Sequence, residues 1–261
     1  PPYTLLGISS RTVVIATDIQ SHADHQWAQA NACSLTTTEF LMTRAGMGKK
    51  ADITRLKLLQ MLSLIAEDAN TDALEAIFRQ EPKLSYSLLR LVNSAANAPR
   101  SPITSFSQAI NLLGRRQLQR WLQLLVYAAP NNGQHPNPLL QKAAARGRLM
   151  ELLSANLPAE TGIEQLGDAA FMVGSFSLLD VLLNMSIGEI LQQVTLLDSV
   201  TQALLVHQGT LGELLRLTIA AESRDFPAAA KQLDSLPFNG EVYVDAQLQA
   251  LSWAAKINPA A

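Results

Sequence analysis

The stretch Leu84 to Trp121 constrains this chain more than any other. It reads as a helix end, a proline-punctuated turn, a short capped helix, a glycine stop and a second helix. Leu84, Leu88, Leu91 and Val92 form one apolar stripe, with Pro82 suited to the first turn of that helix. Pro99 and Pro102 end it and force an extended connection. Ser105 with Gln108 three residues on has the form of a capping box, and Gly114 suits the position just past a helix. Leu118, Trp121, Leu122, Leu125 and Val126 then give the next helix, Arg115 to Ala128, a wide buried face. A segment with this pattern packs into a helical bundle and cannot serve as a sheet.

The flanks extend the pattern. Leu58, Leu59, Leu62, Ile65, Ala66 and Ala69 recur at helical spacing, and Thr71 can cap a helix buried through Leu74, Ile77 and Phe78. After the loop Pro130–Pro138, helices are predicted from Pro138 to about Asn156 and from Ala169 to Asn184, the latter central, with Gly174 permitting close helix approach. Ser186 with Glu189, and Thr210 with Glu213 behind the stop at Gly209, predict capping boxes. Asp198 starts a helix between them, Asp225 and Pro227 begin a short one, and Glu241–Ile257 forms the last. The loop at 130–138 suits either a gate over a site or a plain surface connection.

Residues 1–50 differ in texture. Thr12–Ile19 is a β-branched apolar run, Ser21 can cap a helix over His22–Ala32, and Ser34–Thr43 reads as a second strand. Gly46–Lys50 is the linker, so the expected organisation is an α/β fragment at 1–50 and an all-α domain at 51–261. The fold class is mainly α. A strand–helix–strand unit alone cannot bury both faces of a parallel sheet. The chain is therefore expected to be the C-terminal part of a longer protein, or one whose larger α/β domain has decayed.

Composition excludes several classes. The chain has 261 residues, 48% hydrophobic and 16% charged, which is neither disordered nor heavily solvated. Its net charge of −2 and pI near 6.1 supply no general attraction to nucleic acid. No apolar run is expected to span a membrane, no signal peptide is legible, and the single Cys33 fits a reducing cytoplasm, the expected location. Phosphate loops, nucleophile elbows and dinucleotide fingerprints are missing from the sequence. His22 and His25 share a helix but lack a third ligand and read as surface, His135 falls in the proline loop, and His207 sits near a helix C-terminus, suited to its dipole.

Leu84-Ser85, Leu88-Leu89-Arg90, Val92-Asn93-Ser94-Ala95, Ile103, Ser105, Ala109-Ile110, Leu113-Gly114 and Leu118 with Trp121 resemble the signature of the HDOD (HD-related output) domain of bacterial signalling proteins. A looser match runs through Arg146–Glu151 and Phe171–Asp180 and covers most of residues 55 to 220. The resemblance implies an HD-like bundle. A working HD phosphohydrolase needs a His, a His-Asp pair and a later Asp for its metal. The resemblance places Arg146, Ser177 and Leu178 at those ligand positions, so no metal, no cofactor and no catalytic residue are expected. Ala16–Ser21 resembles a glutamate-bearing segment of the EAL domain, a barrel that hydrolyses cyclic di-GMP in active relatives, with Thr17 and Gln20 in place of both glutamates. Together these imply the EAL–HDOD two-domain family with a degenerate EAL remnant.

The expected function is a non-enzymatic signalling module relaying an upstream state through protein or nucleotide-ligand binding. Its candidate surface is Arg90, Asn93, Ser94, Arg115, Arg116, Arg120 and Trp121, with Asn93 and Ser94 equally suited to bonding backbone at the helix end. Expected partners are signalling proteins, a second copy among them, with no membrane; nucleic acid and cyclic dinucleotide are set aside. Two other readings stand beside it. One is a residual HD-type metal-dependent phosphohydrolase. The other is a nucleic-acid regulator presenting Arg115, Arg116 and Arg120 to phosphates, whose duller alternative places those arginines on a solvated face.

Overall fold

A computed structural model describes residues 13–31, 33, 35–37, 82–94, 99, 102–128, 138–158, 163 and 165–257. The helices expected between Arg55 and Phe78, the linker, Ala95, Arg100, His135 and nearly all of the 130–138 loop lie outside the described residues. The chain divides into two compact units, Pro1–Lys49 and Lys50–Ala261.

In the first unit β1 (Ile15–Ala16) and β2 (Leu35–Thr36) pair in parallel, with Ile15 opposite Leu35, and α1 (His22–Ala30) crosses between them. The strand–helix–strand order is the expected one; each described strand is two residues long, and most of the expected second strand, 38–43, lies outside the described residues. The left-handed Asp18 (φ 58°) breaks the first run before it reaches Ile19. Ser21 caps α1 as its side chain implies, accepting from the Asp24 amide at 3.1 Å. The His25 ring Nδ1 and the Thr36 hydroxyl are hydrogen-bonded at 3.1 Å, which ties α1 to β2. Gln20 donates its side-chain amide to Asp18 at 2.8 Å.

The second unit is the all-α bundle that the periodicity predicts. In chain order its described helices are α2 (Pro82–Val92), α3 (Phe106–Ala128), α4 (Pro138–Ser154), α5 (Leu166–Phe176), α6 (Leu179–Leu183), α7 (Ile187–Leu191), α8 (Asp198–Val206), α9 (Gly209–Glu222), α10 (Phe226–Leu233) and α11 (Gly240–Ala255). Gly114 interrupts α3 as its sequence position implies, so this stretch is two helices joined across the glycine. Its φ of 75° and ψ of 161° form a kink that a Cβ would strain, and helix continues on both sides.

Side-chain caps explain several of the starts. Ser186 and Glu189 form the full capping box on α7, and Asp225 and Asn239 cap α10 and α11 through the amides of Ala228 and Val242. Two expected boxes differ. Ser105 accepts from the Gln108 amide at 3.1 Å, but the Gln108 side chain reaches the amide of Thr104, at 2.8 Å, rather than that of Ser105. Thr210 and Glu213 form no box, because α9 already begins at Gly209. His207 takes the left-handed position at the end of α8 (φ 54°), ahead of Gly209 (φ 71°). Burial, and then the Arg216 guanidinium, lower the His207 pKa, so the ring is disposed to be neutral rather than to answer the helix dipole as a cation.

The core centres on α5, every residue of which from Ala169 to Phe176 is buried, and on α4, which packs most extensively on α5 and α11. The α4–α5 crossing is set by two glycines. A Cβ on Gly174 would lie 2.7 Å from the Arg146 carbonyl oxygen and 2.8 Å from Cα of Gly147. Contrary to expectation, one stretch, Leu166–Leu183, is long and apolar enough on average to cross a membrane. It is the central element of the bundle, interrupted after Phe176 and 56% buried.

Candidate functional site

Asn93 turns out to be a brace. Its side-chain amide nitrogen donates to the carbonyls of Leu89 and Ile103, and its oxygen accepts from the Ile103 amide, each at 2.7 Å. The paired bonds to Ile103 copy a strand-like exchange and pin the proline-restricted segment before α3 to the end of α2. Ile103 itself is buried. Replacing Asn93 with alanine leaves those backbone groups unpaired and is expected to lower stability by about 2 kcal/mol in urea unfolding; a loss below about 0.5 kcal/mol would show the brace to be dispensable. Ser94 does not share the role, since its buried hydroxyl has no hydrogen-bond partner.

The arginines divide. Arg90 lies over the Tyr86 ring, 5.7 Å from its centroid. Arg116 Nε and Arg120 Nη2 grip the two oxygens of Asp168 at 2.8 and 2.7 Å. Arg120 also pairs with Glu151, whose other oxygen holds Arg148 at 2.6 Å, and stacks over Phe171 at 5.7 Å. Three cations thus alternate with two carboxylates across α3, α4 and α5. The exposed Arg116 pair contributes little, whereas the half-sheltered Arg120 joins three elements. Arg115 lies on the same helix with its side chain outside the described residues. Trp121 is 3% exposed and faces the core, its ring 6.0 Å from that of Trp253, so it lies beneath the surface on which the sequence reading placed it.

The three positions aligned with HD metal ligands come together, though not as ligands. Arg146 is the largest fully buried side chain, its side chain 1% exposed. It donates to the Ser177 hydroxyl at 2.7 Å and to both oxygens of Glu222 at 3.1 and 2.6 Å. Ser177 passes its own proton to the Gly174 carbonyl at 2.7 Å, and Lys142 reaches Glu222 at 3.1 Å. Leu178 is buried beside them. Burial raises the Glu222 pKa, but Arg146 and then Lys142 outweigh it and hold the carboxyl below 4.5. The hydroxyl of Tyr243 is buried without a partner. Burial first, then the Glu222 carboxylate, push its pKa up to about 12. A guanidinium, a hydroxyl and an isobutyl group do not fit a metal, and the one carboxylate present is occupied by two cations. Among the described residues no three of His, Cys, Asp and Glu come together as a metal-binding group.

Glu222 and Asp168 are the residues sequence reading passed over. Each lies at one end of its helix, the last residue of α9 and the first turn of α5. Partners 76 and 48 to 52 positions away leave no local trace. Asp180, singled out near the lost ligands, accepts from the amide of Val181 at 2.8 Å in the first turn of α6, and Cys33 is a free thiol.

Residues 53–174 match the HDOD domain family. The match ends in α5, so Ser177, Leu178, Glu222 and Tyr243 lie beyond it, and it stops short of the residue 220 that the sequence resemblance reached. The chain is 32% identical over 184 residues to the cyclic di-GMP phosphodiesterase CdgJ of Vibrio cholerae, which covers 70% of this chain and 41% of that protein. It is also 32% identical over 203 residues to the uncharacterized protein YuxH of Bacillus subtilis, covering 76% of this chain and 46% of the relative. The chain thus spans less than half the length of these curated relatives. No solved structure matches it significantly.

These comparisons correct one expectation. The inference that the chain is no enzyme rested on Arg146, Ser177 and Leu178 and on Thr17 and Gln20 in the EAL-like segment, and a relative named as a phosphodiesterase overturns it. Fold, signature and family match agree on the central point: over residues 53–174 this chain carries an HDOD domain.

Proposed function

We propose that this chain acts in cyclic di-GMP signalling, with its helical unit as the module that relays state to a protein partner or nucleotide ligand. The observation that carries the reading is the identity of 32% over 184 residues with a protein named as a cyclic di-GMP phosphodiesterase. The parallel β1–α1–β2 unit supports the further reading of residues 1–50 as the remnant of an EAL barrel. Within the bundle, the relaying surface is the α3 face carrying Arg116 and Arg120, where three helices meet through Asp168 and Glu151. A partner that competes for Arg116 there shifts a pair shared with Arg120, and so reaches α4 and α5.

The test has two parts. The chain is produced in its bacterial host, and cellular cyclic di-GMP is measured against cells producing Arg116→Glu. Purified chain is then incubated with cyclic di-GMP and magnesium or manganese, with products separated by chromatography. The reading expects the wild-type chain to change the cellular level and the variant to change it less. An unchanged level with folded protein accumulating would sink it. Turnover in the purified sample would place the phosphodiesterase activity in this chain itself.

A further inference from the structure

Helix α11 carries two apolar stripes, of which the bundle uses one. The inner stripe is Tyr243, Ala246, Ala250 and Ala254, all buried, with the Trp253 ring packed edge-on to Phe171 at 6.1 Å. The outer stripe is Val244, Leu248 and Leu251, exposed to 50%, 62% and 52%, and it continues through the exposed Ala255. Single exposed leucines are ordinary on a protein surface. Here the spacing is four, three and four, the interval of a seam between two helices.

The geometry points to a second copy of this chain as the occupant, docking α11 on α11 antiparallel across a two-fold axis near Leu248. Such a contact is self-complementary, because the same residues serve both partners. With the axis at Leu248, Val244 of each copy meets Leu251 of the other. Charge selects the direction. Glu241 in the first turn and Lys256 at the C-terminal cap are both exposed and flank the same edge of the outer stripe. Antiparallel pairing sets like edges against each other and brings each Glu241 to the other copy's Lys256, whereas parallel pairing would set that edge against the partner's opposite edge and leave Glu241 and Lys256 apart. It also opposes the two helix dipoles. At 16 residues α11 spans roughly 24 Å. A contact of that length falls below the standard interface size, so the dimer forms and dissociates with concentration.

The test is sedimentation equilibrium of the full 261-residue chain over a wide concentration range. A monomer–dimer equilibrium is expected. Leu248→Glu weakens it by at least about tenfold, with the thermal melt of the dilute protein unchanged, because Leu248 touches solvent in each monomer. Glu241→Lys also weakens it, and the exchanged pair Glu241→Lys with Lys256→Glu restores it. A chain monomeric at every concentration, or a dimer indifferent to Leu248→Glu, overturns the proposal. Failure of the exchanged pair to restore association overturns the antiparallel arrangement.

Discussion

Replacing Gly174 with alanine is expected to lower the stability of the helical unit by about 3 kcal/mol. The added methyl meets backbone, not a side chain that can swing aside. Its nearest neighbours are the Arg146 carbonyl oxygen, the Gly147 Cα and the Arg146 carbonyl carbon, at 2.7, 2.8 and 2.9 Å. To admit it, α4 and α5 must separate along their whole contact, and these two helices form the most extensive pairing in the bundle. Separation also stretches the bond that crosses there, from Arg146 to Ser177. Gly147→Ala faces the Phe171 carbonyl at 3.0 Å and the edge of a ring, and is expected to cost less. Urea unfolding followed by far-ultraviolet circular dichroism measures both, since nearly all the described helix lies in this unit. A Gly174→Ala loss under about 1 kcal/mol would mean that the crossing yields more easily than its backbone contacts imply.

Much of this architecture was legible because its causes are local. Ser21, Ser186 and Asp225 cap the helices that their side chains imply, and Gly174 sits at a close crossing. What escaped reading is non-local or competes with a local rule. The Thr210–Glu213 pattern fits a box, but the left-handed turn at His207 puts the cap at Gln208 and starts α9 two residues early. At the site, the sequence named Arg146 and Ser177 as the places where ligands were lost, and the two are bonded to each other. It could not name Glu222, which arrives from a helix 76 residues later, so it described an absence where the molecule has an ion pair. The inference of inactivity built on that absence reached further than the residues warranted.

That ion pair supports the last prediction. Arg146→Met is expected to lower stability by about 4 kcal/mol, because it leaves the sheltered Glu222 carboxylate with Lys142 alone. The Ser177 hydroxyl loses its donor in the same step. Removing both charges, in Arg146→Met with Glu222→Leu, is expected to recover most of that loss, since an apolar pair of similar volume needs no desolvation of ions. Unfolding of the two single variants and the double variant gives the coupling directly. The pH dependence supplies an independent sign. The native Glu222 pKa lies below 4.5, so the folded state binds this proton less tightly than the unfolded one. The contribution is full above the unfolded value and disappears as the pH falls through the lowered native one. Wild-type protein should therefore lose stability on acidification through that window more steeply than the double variant. Parallel acid profiles for the two would show that Glu222 ionises alike folded and unfolded, and that Arg146 is held by packing of its stem rather than by its charge.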